Sequence, residues 1–133
     1  MIDYKGQCLC GLITYNAPEK PKYIFNCHCT ICRKRSGAPY TTWLIYKTDE
    51  VVISEEHLSY FESNPNVVRG FCKNCGTDIS WKNIEKSNWI GVTCGTAKYQ
   101  NLLTPSANIW VQSKLNWVQL DPNLKTYPRG PFE

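Results

Sequence analysis

No stretch of this chain approaches the ~18 consecutive apolar residues needed to cross a bilayer, so a helical membrane span is excluded. The opening residues Met1-Ile2-Asp3-Tyr4-Lys5 carry neither a secretory nor a transit signal, which makes the cytoplasm the expected compartment. Internal repeats, low-complexity tracts and long linkers are absent, and 133 residues suffice for one hydrophobic core. A single domain over residues 1–133 is therefore expected. Lys and Arg form no extended stripe, so nucleic acid is not the expected partner. The formal net charge is +4, and metal-bound thiolates would cancel most of it.

Helix signals are few. Thr30 to Ser36 can make one or two turns ended by Gly37. Elsewhere, short β-branched and aromatic runs alternate with Gly, Pro and Asn, and the fold class they predict is mainly β. Strands are expected at Thr14–Asn16, Tyr23–Asn26, Tyr40–Tyr46, Val51–Ile53, Leu58–Phe61, Val67–Phe71, Ile79–Trp81, Trp89–Val92 and Asn108–Val111. A turn is expected at Asn64-Pro65-Asn66, and the tail from Pro122 to Glu133 reads as irregular coil.

What the chain does have is cysteine, eight in all. Seven fall into three chelating clips: Cys8-x-Cys10, Cys27-x-Cys29-x-x-Cys32, and Cys72-x-x-Cys75 followed by Gly76. Thiolate sulfur is a soft ligand that favours zinc or iron–sulfur clusters, and the spacing fits no ferredoxin pattern. A disulfide framework is the competing account of an even cysteine count, but it suits an oxidising compartment. In C-x-C on an extended chain, alternate side chains share a face, so Cys8 and Cys10 can grip one ion. In C-x-x-C-G the sulfurs converge over a tight turn, and Gly76 allows a positive φ. The middle clip offers three sulfurs if the chain turns helical after Cys29. Four protein ligands characterise a structural zinc and three with a free position a catalytic one. The simplest partition is a closed site of Cys8, Cys10, Cys72 and Cys75 and an open one of Cys27, Cys29 and Cys32; other pairings remain open. Two zinc ions per chain are expected.

The remaining candidates are weighed singly. Cys94 at a strand end is a small buried hydrophobe, or else a fourth ligand or redox gate for the open site. Strand alternation turns His28 away from the face shared by Cys27 and Cys29, leaving it a surface or packing role, or that of an acid or base near the site. His57, Glu55 and Glu56 read as solvated loop residues. Arg33 and Arg35 follow the middle clip, where they could offset its negative charge and draw in an anionic substrate, while Lys34 reads as solvated. Ser36 and Trp43 could line the same mouth.

With these residues in view, the chain resembles the glutathione-dependent formaldehyde-activating enzyme family, which includes centromere protein V-like proteins. The carrying motifs are Gly6-Gln7-Cys8-Leu9-Cys10-Gly11 with Tyr15, Cys27-His28-Cys29-Thr30-Ile31-Cys32-Arg33-Lys34 with Ser36-Gly37-Ala38, and Phe71-Cys72-Lys73-Asn74-Cys75-Gly76-Thr77. Ile109-Trp110, Ser113-Lys114, Trp117 and Tyr127-Pro128 extend the match over nearly the whole chain. The resemblance implies a β-tent fold of several small antiparallel sheets. It also implies the same partition, with Cys8, Cys10, Cys72 and Cys75 on a structural zinc and Cys27, Cys29 and Cys32 on a catalytic one. The implied activity is that of a carbon–sulfur lyase interconverting glutathione plus formaldehyde with S-(hydroxymethyl)glutathione, with a small-molecule thiol as partner. The competing function is a zinc-stabilised binding module without catalysis, in which Cys94 or another group closes the second site.

Overall fold

A computed structural model describes residues 4–86, 88–98, 101 and 103–131. The chain is mainly β, as its alternating patterns predict. Its strands are β1 (Tyr4–Gln7), β2 (Thr14–Ala17), β3 (Tyr23–Cys27), β4 (Thr41–Lys47), β5 (Val52–Ile53), β6 (Leu58–Asn64), β7 (Val67–Cys72), β8 (Asp78–Asn83), β9 (Trp89–Thr93), β10 (Ala107–Ile109) and β11 (Lys125–Thr126). One α-helix, α1, spans Thr30–Ser36 and stops at Gly37, the expected residue. No described helix is long and apolar enough to cross a membrane.

The strands form two sheets. β1, β2 and β5 make the smaller, and the larger runs in the order β11-β10-β3-β4-β9-β8-β7-β6. Most pairings are antiparallel, but β10 lies parallel to both β3 and β11. Two strands were not legible as such. β1 carries Gly and Gln and no alternating apolar pair. β11 has two residues in a stretch expected to be coil, and it is held in place by parallel pairing with β10. The last residues of that stretch, Phe132 and Glu133, lie outside the described residues.

The faces of the large sheet separate core from cavity. On β4, Leu44 and Tyr46 point into an apolar core with Tyr15, Ala17, Ile24, Ile90 and Val92, which seals the small sheet onto the large one. The alternate residues, Trp43 and Ile45, face the other way with Phe25 of β3. Gly91 of β9 lies opposite Ile45 on one side and Trp81 on the other. A Cβ there would come within 3.1 Å of the Trp43 ring, so any larger residue would make that ring give way.

The chain departs from the expected strand at Asn108–Val111. β10 ends at Ile109, and Trp110 takes a left-handed conformation, φ 57°, before a short 3-10 turn over Val111–Ser113. A bulky residue there costs on the order of 1–3 kcal/mol and persists only when its surroundings fix it. The tail does so: the Trp110 N–H donates to the Arg129 carbonyl at 2.8 Å, and the Tyr127 N–H donates to the Asn108 carbonyl at 2.9 Å.

Candidate metal centres and the cavity beside them

All eight cysteines are free thiols, so the disulfide alternative is set aside. Seven gather into two groups, Cys8 with Cys10, Cys72 and Cys75, and Cys27 with Cys29 and Cys32, each with its sulfurs within 4.8 Å of one another. Vertices of a tetrahedral zinc site with ~2.3 Å bonds lie about 3.8 Å apart. The sulfurs are 3.6 Å apart for Cys8–Cys10, 3.8 Å for Cys10–Cys72 and 3.5 Å for Cys27–Cys32. Both groups therefore fit a divalent, thiophilic metal ion.

The four-sulfur group is made by two loops. The first follows β1, and here the structure corrects the expected mechanism. Cys8, Leu9 and Cys10 lie outside any strand, and a turn closed by the Gly11 N–H on the Cys8 carbonyl at 3.1 Å brings the sulfurs together. The second loop joins β7 to β8. Its Gly76 N–H donates to the Cys72 carbonyl at 2.8 Å, with Gly76 at φ +82° as the C-x-x-C-G pattern predicts. Backbone N–H groups point at the sulfurs, Ile13 to Cys8 at 3.3 Å and Cys75 to Cys72 at 3.4 Å. Thr77 ties the loops together: its hydroxyl accepts from the Leu9 N–H at 3.1 Å and contacts the Cys75 sulfur at 3.1 Å. The Thr77 hydrogen bond, seconded by backbone donors, lowers the Cys75 thiol to about 5, so it is readily ionised for a metal. Cys8 and Cys72 are sealed from solvent and pack on Ile13 and Ile79.

The three-sulfur group comes from the end of β3 and the start of α1. Cys29 is the helix N-cap, and its sulfur accepts from the Cys32 N–H at 3.2 Å. One helical turn returns Cys32 to Cys27. Among the described residues no fourth His, Cys, Asp or Glu joins this group. Arg69, from β7, reaches it instead. Its guanidinium Nη1 donates to the Cys32 sulfur at 3.5 Å, its Nε donates to the Ser63 hydroxyl at 2.9 Å, and it lies 6.0 Å from the centre of the Trp43 ring. Hydrogen bonds from Cys27 and Cys29, then the charge and hydrogen bond of Arg69, hold the Cys32 thiol far below its ordinary value. Cys27 carries the opposite shift, pushed up by its hydrogen bonds with Cys29 and Cys32 and by burial.

Arg69 escaped the sequence reading, which placed the site's cations at Arg33 and Arg35. Its signal was a charge flanked by Val67 and Phe71 at alternate positions of an apolar strand, since an arginine on a buried face requires a partner. Arg35 instead pairs with Asp78 at 2.8 Å and stacks over Phe71 at 5.1 Å. Burial raises the Asp78 carboxyl despite that arginine. Arg33 donates to the His28 carbonyl at 3.4 Å, and the Ser36 hydroxyl caps the Cys32 carbonyl at 2.8 Å. A helix turns successive side chains by about 100°, so residues adjoining Cys32 cannot all face its cavity. Trp43 does face it.

His28 is turned from the sulfurs as alternation predicts, but it is fully buried, which corrects the surface alternative. Asn108 Oδ1 accepts from His28 Nε2 at 2.9 Å and from Asn26 Nδ2 at 3.2 Å. That places the ring proton on Nε2. Burial lowers the His28 value, which favours the neutral ring. His57 is half-buried, 4.0 Å from Glu56. Cys94 lies in a 3-10 turn after β9, packed against the Leu44–Tyr46 core and outside both sulfur groups. Burial raises its thiol.

The three-sulfur group forms part of the wall of a cavity of about 750 Å³. Its other walls are Tyr23 and Phe25 of β3, Trp43 and Ile45 of β4, Val67 and Arg69 of β7, Trp81 of β8 and Trp89 of β9, closed by Trp110, Ser113 and Pro131.

The chain is 30% identical over 116 residues to an uncharacterized lyase of Schizosaccharomyces pombe, covering 86% of this chain and 82% of that one. A crystal structure of a Rhodobacter sphaeroides protein superposes with a TM-score of 0.58 at 18% identity, covering 92% of this chain and 98% of the other, a likeness of fold. The sequence pattern of one family matches residues 3–113, a span that contains all seven clustered cysteines. The chain belongs to the glutathione-dependent formaldehyde-activating enzyme family.

Proposed function

We propose that this protein is a zinc-dependent carbon–sulfur lyase that splits or forms a thiol–aldehyde adduct of the S-(hydroxymethyl)glutathione type. The whole chain, residues 1–133, acts as one zinc-binding unit, working in a reducing compartment such as the cytoplasm, where its free thiols persist. The observation that carries this reading is the inequality of the two sulfur groups: the four-sulfur set is built into packed loops, and the three-sulfur set fronts a cavity. A zinc ion held by Cys27, Cys29 and Cys32 would offer a position for a substrate sulfur and favour its ionised form.

In the cleavage direction the substrate hydroxyl loses its proton to water. Its electron pair forms the aldehyde carbonyl, and the carbon–sulfur bond breaks to leave a thiolate. The chain's own part is positioning and electrostatics. Arg69 supplies a buried positive charge beside the sulfur cluster, where negative charge collects as the thiolate departs. Ser63 and the Trp43 face hold that guanidinium in place. Asn108 and His28 fix the segment between Cys27 and Cys29 from behind. The aromatic walls limit water around the reacting carbon.

NMR exchange spectroscopy of a thiol–formaldehyde mixture tests the proposal. Zinc-loaded protein is expected to speed adduct exchange for at least one thiol of a panel that includes glutathione, and the Cys29→Ser variant is expected not to. Exchange at the buffer rate for every thiol would reject it and leave the zinc-stabilised binding module.

A further inference from the structure

The cavity beside the three-sulfur group has a composition that speaks to its ligand. Four of the chain's five tryptophans line it, with Tyr23 and Phe25. Tyr23 and Phe25 stack at 5.5 Å, and Tyr23 meets Trp89 at 5.8 Å. Gly91 leaves the floor between Ile45 and Trp81 bare of a side chain. The volume, about 750 Å³, is that of pockets holding whole small molecules.

Arg69 is the one charged side chain among the described lining residues, and two of its five N–H donors are already engaged within the wall. It is 4% exposed, with Nη1 on the Cys32 sulfur and Nε on Ser63. Arg33 and Arg35, the cations that follow the middle clip in sequence, face the His28 carbonyl and Asp78. Glutathione carries two carboxylates and an ammonium. A cavity whose described lining offers these three charges one partly engaged guanidinium, no carboxylate and few polar groups would replace little of the water it strips from them.

We infer that this cavity takes a thiol bearing one large apolar group, aromatic by preference and without carboxylates, and that such a thiol, rather than glutathione, is the favoured sulfur substrate. This rests on the lyase reading only for the chemistry that follows binding. The sulfur sits at the Cys27–Cys29–Cys32 end and the apolar group lies along Trp81 and Trp89. The sulfur lies between the apolar group and the aldehyde carbon, and the one bond made or broken is carbon–sulfur: thiolate plus aldehyde plus proton gives the S-hydroxymethyl adduct.

The test measures Kd on zinc-loaded protein by tryptophan emission for three thiols: 2-phenylethanethiol, glutathione and 2-mercaptoethanol. Burying a phenyl-sized group predicts that 2-phenylethanethiol binds on the order of 10-fold or more tighter than either of the others. Trp81→Ala and Trp89→Ala are expected to erode that preference while circular dichroism and zinc content hold. Should either variant misfold, 2-phenylethanol, which has no thiol, is expected to displace 2-phenylethanethiol from the parent protein, and glutathione not to. Glutathione binding as tightly as 2-phenylethanethiol, or no displacement by 2-phenylethanol, would overturn the inference. If 2-phenylethanethiol binds tightly and its formaldehyde adduct is not turned over, the lyase reading falls and the cavity assignment stands. If the glutathione adduct is turned over and 2-phenylethanethiol does not bind, the lyase reading stands and the cavity assignment falls.

Discussion

The two sulfur groups are built from the same side chain and differ in what surrounds them. Cys8, Cys10, Cys72 and Cys75 come from two loops far apart in sequence, so a metal there staples the start of the chain to the β7–β8 hairpin. Cys27, Cys29 and Cys32 come from six consecutive residues that pin nothing distant, and they border the cavity. On the proposed reading, ligand count and chain separation distinguish a fold-holding site from a working one: a metal in the first would close a long loop with four sulfurs, and a metal in the second would keep a position toward the cavity.

The largest effect expected from breaking this contrast is on stability. Cys72→Ser removes a fully buried ligand of the stapling group and is expected to lose several kcal/mol, lowering Tm by on the order of 10–20 °C. Cys29→Ser, in the other group, is expected to move Tm by less than about 5 °C and to reduce turnover on the order of 100-fold or more. Thermal melts beside exchange rates read both. Equal Tm losses in the two variants would erase the distinction.

Next is Arg69. Arg69→Met removes the donor to Cys32, and turnover is expected to fall on the order of 10–100-fold, as for other groups that orient metal ligands. Arg69→Lys keeps the charge without the planar fork, so it is expected to recover part of the loss. With the charge gone, ionising the incoming thiol becomes harder, so the rise of activity with pH is expected to shift upward in Arg69→Met and less in Arg69→Lys. A purely structural arginine would leave that pH profile unmoved.

Asn108→Ala removes the acceptor shared by buried His28 Nε2 and Asn26 Nδ2. It is expected to cost about 1–3 kcal/mol while zinc content stays the same, because the sulfurs themselves are untouched. Arg35→Ala is expected to do least. Its pair with Asp78 is partly buried, with side-chain exposures of 25% and 20%, so its loss is expected in stability, on the order of 1 kcal/mol. Turnover unchanged in Arg35→Ala and reduced in Arg69→Met would assign the site's working cation to β7.

The sequence reading reached the sulfur clips, the helix from Thr30 to Ser36 and most strands, because each depends on neighbours in the chain. Spacing within a clip, a stop at Gly37 and β-branched and aromatic runs such as Tyr40–Tyr46 are local facts. What it missed depends on distant contact. β11 exists through its parallel pairing with β10. Trp110 leaves the strand because the tail supplies the Arg129 carbonyl. Arg69 lies 37 residues from Cys32 and meets it only through the order of strands in the sheet. Nearness in sequence favoured Arg33 and Arg35, and the helical turn after Cys29 directs them elsewhere.

The most direct measurement of the inequality is cobalt substitution followed by titration with a thiol, watching the visible d–d absorption. The account predicts two cobalt ions per chain, one with a four-thiolate spectrum that ignores added thiol and one whose bands change until a single equivalent is bound. Two ions with identical spectra, both indifferent to thiol, would contradict it.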